Sequence, residues 1–284
     1  MTFGVKPTRH HPSQDVLGLE RCSRTDPRYV AIRDAHYVDN SGACGRQLHY
    51  IVWYRGSIAG IISGGSCMLG GKTRADFFGL HYCRMWDKYW RSENAREDRH
   101  NDPPSKYRIL PLIISNTVFR MVNHEPGLAS RVLALWRYQV IADWNSTYEA
   151  TDLECFHNYW DERIGVSAIL GFETTVKPTV NRKGKPMRSG KVYEADGWVC
   201  VGETEGIAKK RDGGGIEHGK IRRESVAKKL VFCKVNEDFE RASHEEAETT
   251  LINCTMMELY DTIFAHAMEQ QERLLTAKAM GAGA

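Results

Sequence analysis

Between Leu128 and Trp144 the apolar residues Leu128, Val132, Trp136, Val140 and Trp144 recur at every fourth position, reinforced by Leu135 and Ile141. That spacing places them on one side of an α-helix of about four turns, as a stripe that has to be buried against another element. Before it stand ILPLII (109–114) and TVFRMV (117–122), which read as two short strand segments broken by Ser115-Asn116. Asn123-His124-Glu125-Pro126-Gly127 then ends the second segment, and a helix is expected to begin near Leu128. After it comes SAILGFETTV (167–176), whose weak alternation predicts a strand buried on both faces.

The flanking sequence supplies further strands. LHYIVWY (48–54) is β-branched and aromatic, Arg55-Gly56-Ser57 turns it, and residues 58–62 return as the second arm of a hairpin. SGGSCMLGGKTR (63–74) holds four glycines, too many for a strand interior, and predicts backbone passing close to another element. An irregular, partly helical insertion is expected over 81–108. GKVYEADGWVCVGETEG (190–206) predicts a short helix stopped by Gly197 and then a strand from Trp198 to Gly202. Residues 206–229 read as a Gly, Lys and Arg loop, and LVFCKV (230–235) as the strand that closes the sheet. From Glu245 to about Ala279, Ile252, Met256, Leu259, Ile263 and Ala267 mark one face of a long helix, to cover the sheet or to pair with a second subunit as a homodimer. The fold class is α/β, a mixed sheet flanked by helices. The expected organisation is an N-terminal arm (1–30), a main domain (31–236) and a C-terminal helical tail (237–284).

Composition bounds the partners. With 42% hydrophobic residues, seven Trp and twelve Tyr, the 284-residue chain can bury a core, which excludes a wholly disordered or fibrous polymer. No apolar run approaches ~18 residues, so no membrane partner is expected. MTFGVKPTRHHPSQD carries charge and proline where a secretory signal needs apolar residues, and the chain reads as cytoplasmic. The eight cysteines are scattered without a CxxC pair, which favours reduced thiols. Residues 236–284 hold three Lys and Arg against ten Asp and Glu, a net −7, and leave 36 against 26, or +10, on residues 1–235. A basic body attracts phosphate backbones, and an acidic tail competes for the same face or solubilises the product.

Four groups of residues have the chemistry of a site. At the strand-to-helix junction the first-turn N–H groups of Gly127, Leu128, Ala129, Ser130 and Arg131 can hold a donor's phosphates, against the alternative of an ordinary capped helix. Glu173 stands in an otherwise apolar strand, so its carboxylate either reaches a cleft and serves as general base or is held in a structural salt bridge. His36 is a candidate proton shuttle, Asp76 its orienting carboxylate or a metal ligand, and Tyr37 a stacking surface or acid. Lys209, Lys210, Arg211, Lys220, Arg222, Arg223, Lys228 and Lys229 are eight cations interleaved with glycines, suited to tracking nucleic-acid phosphates or simply to a solvated loop. Trp53, Tyr54, Trp86, Trp90 and Trp198 are candidate stacking surfaces for an extruded base, although most aromatics serve as core. There is no P-loop, no GxSxG elbow and no dinucleotide-binding fingerprint.

Five segments in order carry a resemblance: AHYVDNSGACGRQLHYIVWYRGSIAGIISGGS (35–66), RADFFG (74–79), NTVFR (116–120) with GLASRVLALWR (127–137), GFETTV (171–176) and GKVYEADGWVCVGETEG (190–206). Over roughly residues 30–235 the chain resembles an N-acetyltransferase-like (GNAT-like) group that includes the phage Mom proteins, which convert adenine in DNA to a carbamoylmethyl derivative. It is also similar to a domain of unknown function in Druantia anti-phage systems. His36, Tyr37, Asp76, Ser130, Tyr193, Trp198 and Thr204 stand where the shared pattern has its polar and aromatic landmarks. Glu173 follows the Druantia-type group, since the Mom strand ends in a Tyr-Ala-Asp type sequence. The resemblance implies a sheet whose central strands splay to admit a donor's pantetheine-like arm, with an acyl-CoA-like small molecule as donor. It also implies double-stranded DNA as partner and a divalent metal such as iron, with Tyr37 and Asp76 as candidate participants. The reaction it implies is transfer of a small acyl or carbamoylmethyl-type group to the exocyclic amine of adenine. A non-catalytic nucleic-acid-binding defence module of the same fold, and an ordinary acetyl-CoA-dependent N-acetyltransferase, are the alternatives.

Overall fold

Arg55 and Gly56 both take positive φ, 50° and 72°. A two-residue turn of this kind matches the twist of antiparallel strands, so β2 (Gln47–Tyr54) returns directly as β3 (Ser57–Ser66). Around this hairpin the structure, a computed structural model, describes residues 17–35, 45–67, 71–85, 109–155, 169–180, 186–205, 207–211, 221–225, 227–237 and 251–281. The arm expected over 1–30 gives way at Gly18. Gly18–Cys22 is β1, paired antiparallel with β2, and Pro27–Asp34 is α1, capped by the Asp26 carboxylate accepting from the Arg28 N–H.

β3 runs straight through Gly64 and Gly65, the stretch expected to be too glycine-rich for a strand. The reason is contact, as the sequence suggested: a Cβ on Gly64 would lie 3.0 Å from Ile114, 3.2 Å from Trp136 and 3.2 Å from Val140. α2 (Lys72–Phe77) follows, and the insertion expected over 81–108 lies largely outside the described residues. β4 (Ile113–Met121) is one continuous strand after a 3-10 turn at Leu110–Leu112, not two segments. Ser115 and Asn116 do not break it because both pair with β3, across from Gly65 and Gly64 at a bulge.

α3 (Leu128–Cys155) starts where expected, and Leu128, Val132, Trp136, Val140 and Trp144 are all buried. β5 (Gly171–Val176) follows, then the small hairpin β6 (Thr179–Val180) and β7 (Pro186–Arg188). α4 (Lys191–Ala195) is ended by Gly197 at φ 80° and leads into β8 (Val199–Glu203). The loop expected over 206–229 contains a hairpin of its own, β9 (Ile207–Arg211) and β10 (Ile221–Ser225), with Lys210 opposite Arg222 and Lys209 opposite Arg223. β11 (Leu230–Val235) does not close the sheet but inserts between β5 and β8. α5 (Leu251–Gly281) ends the described chain.

The result is a seven-stranded mixed sheet in the order β1-β2-β3-β4-β5-β11-β8, flanked by helices, in which only β4 and β5 run parallel. One face carries Leu48, Tyr50, Val52, Ile62, Phe172 and Phe232 against the stripe of α3. The other is divided, with Tyr29 of α1 over Ile51, Ile61 and Val118, and α2 and α5 over Ile113, Val231 and Val235. Leu259, Ile263 and Ala267 of α5 are buried against this chain's own sheet, so of the two roles expected for that face they serve to cover the sheet. The Gln271 side-chain oxygen accepts from the Val235 N–H at 2.8 Å, tying the helix to β11. Among the described residues Cys22, Cys67, Cys83, Cys200 and Cys233 form no disulfide. No described helix is long and apolar enough to cross a membrane.

The crowding at Gly64 sets a stability test. Gly64→Ala pushes a methyl group into Ile114, Trp136 and Val140 and is expected to cost about 1–3 kcal/mol, read as a lower midpoint in urea unfolding.

Candidate functional site

β4 and β5 pair over only three positions, Ile113 with Gly171, Ile114 with Phe172 and Ser115 with Glu173. Beyond them β4 stays laddered to β3 as far as Met121, and β5 to β11 as far as Val176. The two strands therefore part toward their C-terminal ends and leave a notch in the middle of the sheet. Side chains stitch its floor. Thr174 donates to the Asn116 carbonyl at 3.0 Å, Asn116 Nδ2 donates to the Ser63 carbonyl at 3.1 Å, and the Tyr193 hydroxyl donates to Asn116 Oδ1 at 2.8 Å. Tyr193, from α4, stacks on Phe232 at 5.7 Å between ring centroids and meets Trp198 edge-on at 5.2 Å.

The start of α3 lies at the same end of the sheet toward which the notch opens. Leu128 N–H and Arg131 N–H donate to the Glu125 and Gly127 carbonyls, at 3.1 and 3.2 Å. As in any first helical turn, the N–H groups of Ala129 and Ser130 between them lack intrahelical acceptors. The Leu128 side chain is core, so at this site it offers backbone alone. Ser130 Oγ donates back to the Gly127 carbonyl at 3.0 Å, and the Arg131 guanidinium lies 5.9 Å from the Tyr54 ring centroid. The Glu125 carboxylate, unfavourable for an anion here, is held aside by the Tyr54 hydroxyl at 2.8 Å and by Arg55 at 3.4 Å.

Glu173 occupies the last paired position before the strands part, on the face covered by α2. Both of its carboxylate oxygens accept from Arg74 Nη1 at 2.9 Å, and the two residues are 7% and 3% exposed. Of the two roles open from the sequence, the salt bridge is the one formed. Cys67 and Cys233 share this buried corner, where burial and the Glu173 charge push both thiols well above their ordinary range. Cys67 donates to the Ile113 carbonyl at 3.1 Å.

Asp76 does not join Glu173. It lies two positions beyond Arg74 on α2, about 200° around the helix, and its side chain is exposed. Its backbone carbonyl lies 3.0 Å from His266 Nε2. His36 and Tyr37 lie outside the described residues, as do Lys220, Trp86 and Trp90. Among the described residues no three His, Cys, Asp or Glu side chains come together as a metal site, so they supply no ligand set for the iron that the resemblance implies. Trp198 corrects the stacking expectation. It is 1% exposed, packed on Phe172 and Tyr193, with its indole N–H donated to Asp196, and no base can stack on it without opening the core.

Sequence reading overlooked His49. It sits on β2 with Nδ1 3.0 Å from Ser63 Oγ and 3.2 Å from the Tyr29 hydroxyl, which are themselves 2.7 Å apart. The signal was a lone histidine inside the apolar and aromatic run LHYIVWY. Burial, then the charges of Arg24 and Arg33, lower its pKa to about 4.

No family model matches the chain, and no curated protein matches it significantly.

Two outcomes follow from this chemistry. Arg74→Met strands the Glu173 charge in the core and is expected to cost about 3–5 kcal/mol in urea unfolding, much of it regained in the Arg74→Met/Glu173→Met pair. His49 is neutral in the fold and has an ordinary value near 6.5 when unfolded, so its contribution is full above pH 6.5 and lost as pH falls toward 4. A decline of about 3 kcal/mol over that interval is expected in unfolding free energy, flattened in His49→Gln.

Proposed function

We propose that this chain is a GNAT-like transferase that places a small carbon unit on the exocyclic amine of adenine in double-stranded DNA. The observation that carries this reading is the notch between β4 and β5, open at the end of the sheet where α3 begins. It matches the splay that the resemblance implies for a thioester donor's arm, with the Ala129 and Ser130 N–H groups and the Arg131 guanidinium available to the donor's phosphates. The adenine amine attacks the electrophilic carbon of the donor. A C–N bond forms, the bond to the leaving group breaks with its electron pair, and one amine proton is lost to a base, for which His36 is the candidate, since Glu173 is held by Arg74.

The β9–β10 hairpin supports DNA as the partner. Leu230 pairs with both Val176 and Glu203, so the ribbon leaves and rejoins the sheet beside the notch's open end. Lys209, Lys210, Arg211, Arg222 and Arg223 all fall on its ladder. A two-stranded ribbon fits the major groove of a duplex, and its cations neutralise phosphates.

The engagement of both Glu173 oxygens by Arg74 favours a second reading, a non-catalytic DNA-binding module. One experiment separates the two. The chain is expressed in bacteria and the nucleosides of their DNA are weighed by mass spectrometry. A heavier deoxyadenosine, lost in His36→Gln, is expected. Unmodified DNA alongside steeply salt-dependent duplex binding by the purified protein supports the second reading and overturns the first.

A further inference from the structure

At the opposite end of the sheet, where β1 stops and β2 starts, a cavity of about 400 Å³ opens among Arg21, Ser23, Arg24, Gln47, His49 and Tyr148. This volume lies within the range of small-molecule sites, about 300–1,000 Å³. Among the described residues no Asp or Glu lines it. Of the described acids on β1 and α1, Glu20 and Asp26 pair with Arg28 at 2.8 Å each and Asp34 with Arg33 at 2.7 Å. A third guanidinium, that of Arg46, lies 5.2 Å from the Tyr148 ring centroid.

The wall is pre-organised. The Tyr148 hydroxyl accepts from the Gln47 N–H at 2.7 Å and donates to the Gln47 carbonyl at 2.8 Å, which fixes an aromatic ring of α3 against the first residue of β2. Trp144 meets that ring edge-on at 4.9 Å. A fixed ring beside guanidinium groups and a serine hydroxyl has an apolar side and an anion-binding side within a few ångströms. Guanidinium groups bind phosphate oxygens through paired, charge-assisted hydrogen bonds.

We infer that this cavity binds a nucleoside phosphate, with Arg21 and Arg24 on the phosphate and the Tyr148 ring beside the nucleoside. The phosphate belongs either to a free mononucleotide or to a nucleic-acid strand. The site lies at the other end of the strands from the β4–β5 notch, so the inference stands independently of the transferase reading.

The test is calorimetry on the full chain with deoxyadenosine monophosphate, deoxyadenosine and a short DNA duplex. The monophosphate is expected to bind and the nucleoside not. Arg21→Glu and Arg24→Gln are each expected to raise the monophosphate Kd by about tenfold or more, with unchanged unfolding midpoints. Duplex affinity that falls in the same variants, with displacement of the duplex by the monophosphate, identifies a strand phosphate as the occupant. Duplex affinity that does not change identifies a free nucleotide. Monophosphate binding no tighter than that of the nucleoside, or a Kd unchanged in both variants, overturns the inference.

Discussion

A parallel pair inside an otherwise antiparallel sheet cannot be joined by a tight turn, and the crossover between β4 and β5 dictates most of what surrounds it. The connection has to climb off the sheet, run back along it and re-enter, and α3 does this with the long apolar stripe that seals one face. Because only three residue pairs hold the parallel strands together, the backbone groups beyond them need other partners. Thr174, Asn116 and Tyr193 supply one set at the fork, and the neighbouring strands β3 and β11 supply the rest.

The polar groups beneath the sheet are arranged by the same economy. Arg74 and Glu173 satisfy one another where α2 crosses β5, and Tyr29, His49 and Ser63 close a small network under α1. Neither set adds much over a hydrocarbon replacement, but breaking one member leaves an uncompensated buried group, so each fixes how its helix sits. The two networks divide the lower face between α1 and the α2–α5 pair, whereas α3 alone dominates the upper one.

Much of this architecture was legible from periodicity and punctuation. Trp136 at the centre of the stripe, Arg55-Gly56 in the hairpin and Gly197 after α4 declare their local structures because each answers a local physical requirement. The errors came where distant partners decide. Ser115-Asn116 looks like a strand break until Gly64 and Gly65 lie opposite, and Gly64 looks like a loop residue until Trp136 lies above it. β9 and β10 were hidden by their own charge, because Lys and Arg mask alternation. Of the site, Glu173 was visible as a carboxylate in an apolar strand, but its partner was not, since Arg74 is 99 residues away and carries no local mark. Asp76, in turn, was grouped with His36 and Tyr37 by its chemistry alone, and its place two helical positions beyond Arg74 turns it to solvent.

The β9–β10 ribbon leaves from β8 and returns into β11, strands that already neighbour each other in the sheet. Its anchor points are thus held together whatever lies between them. Doubling the length of such an excursion costs only about 0.6 kcal/mol in closure entropy. The segment is free to lengthen or shorten while the scaffold keeps its shape, so the ribbon and the seven-stranded sheet tolerate change independently of each other.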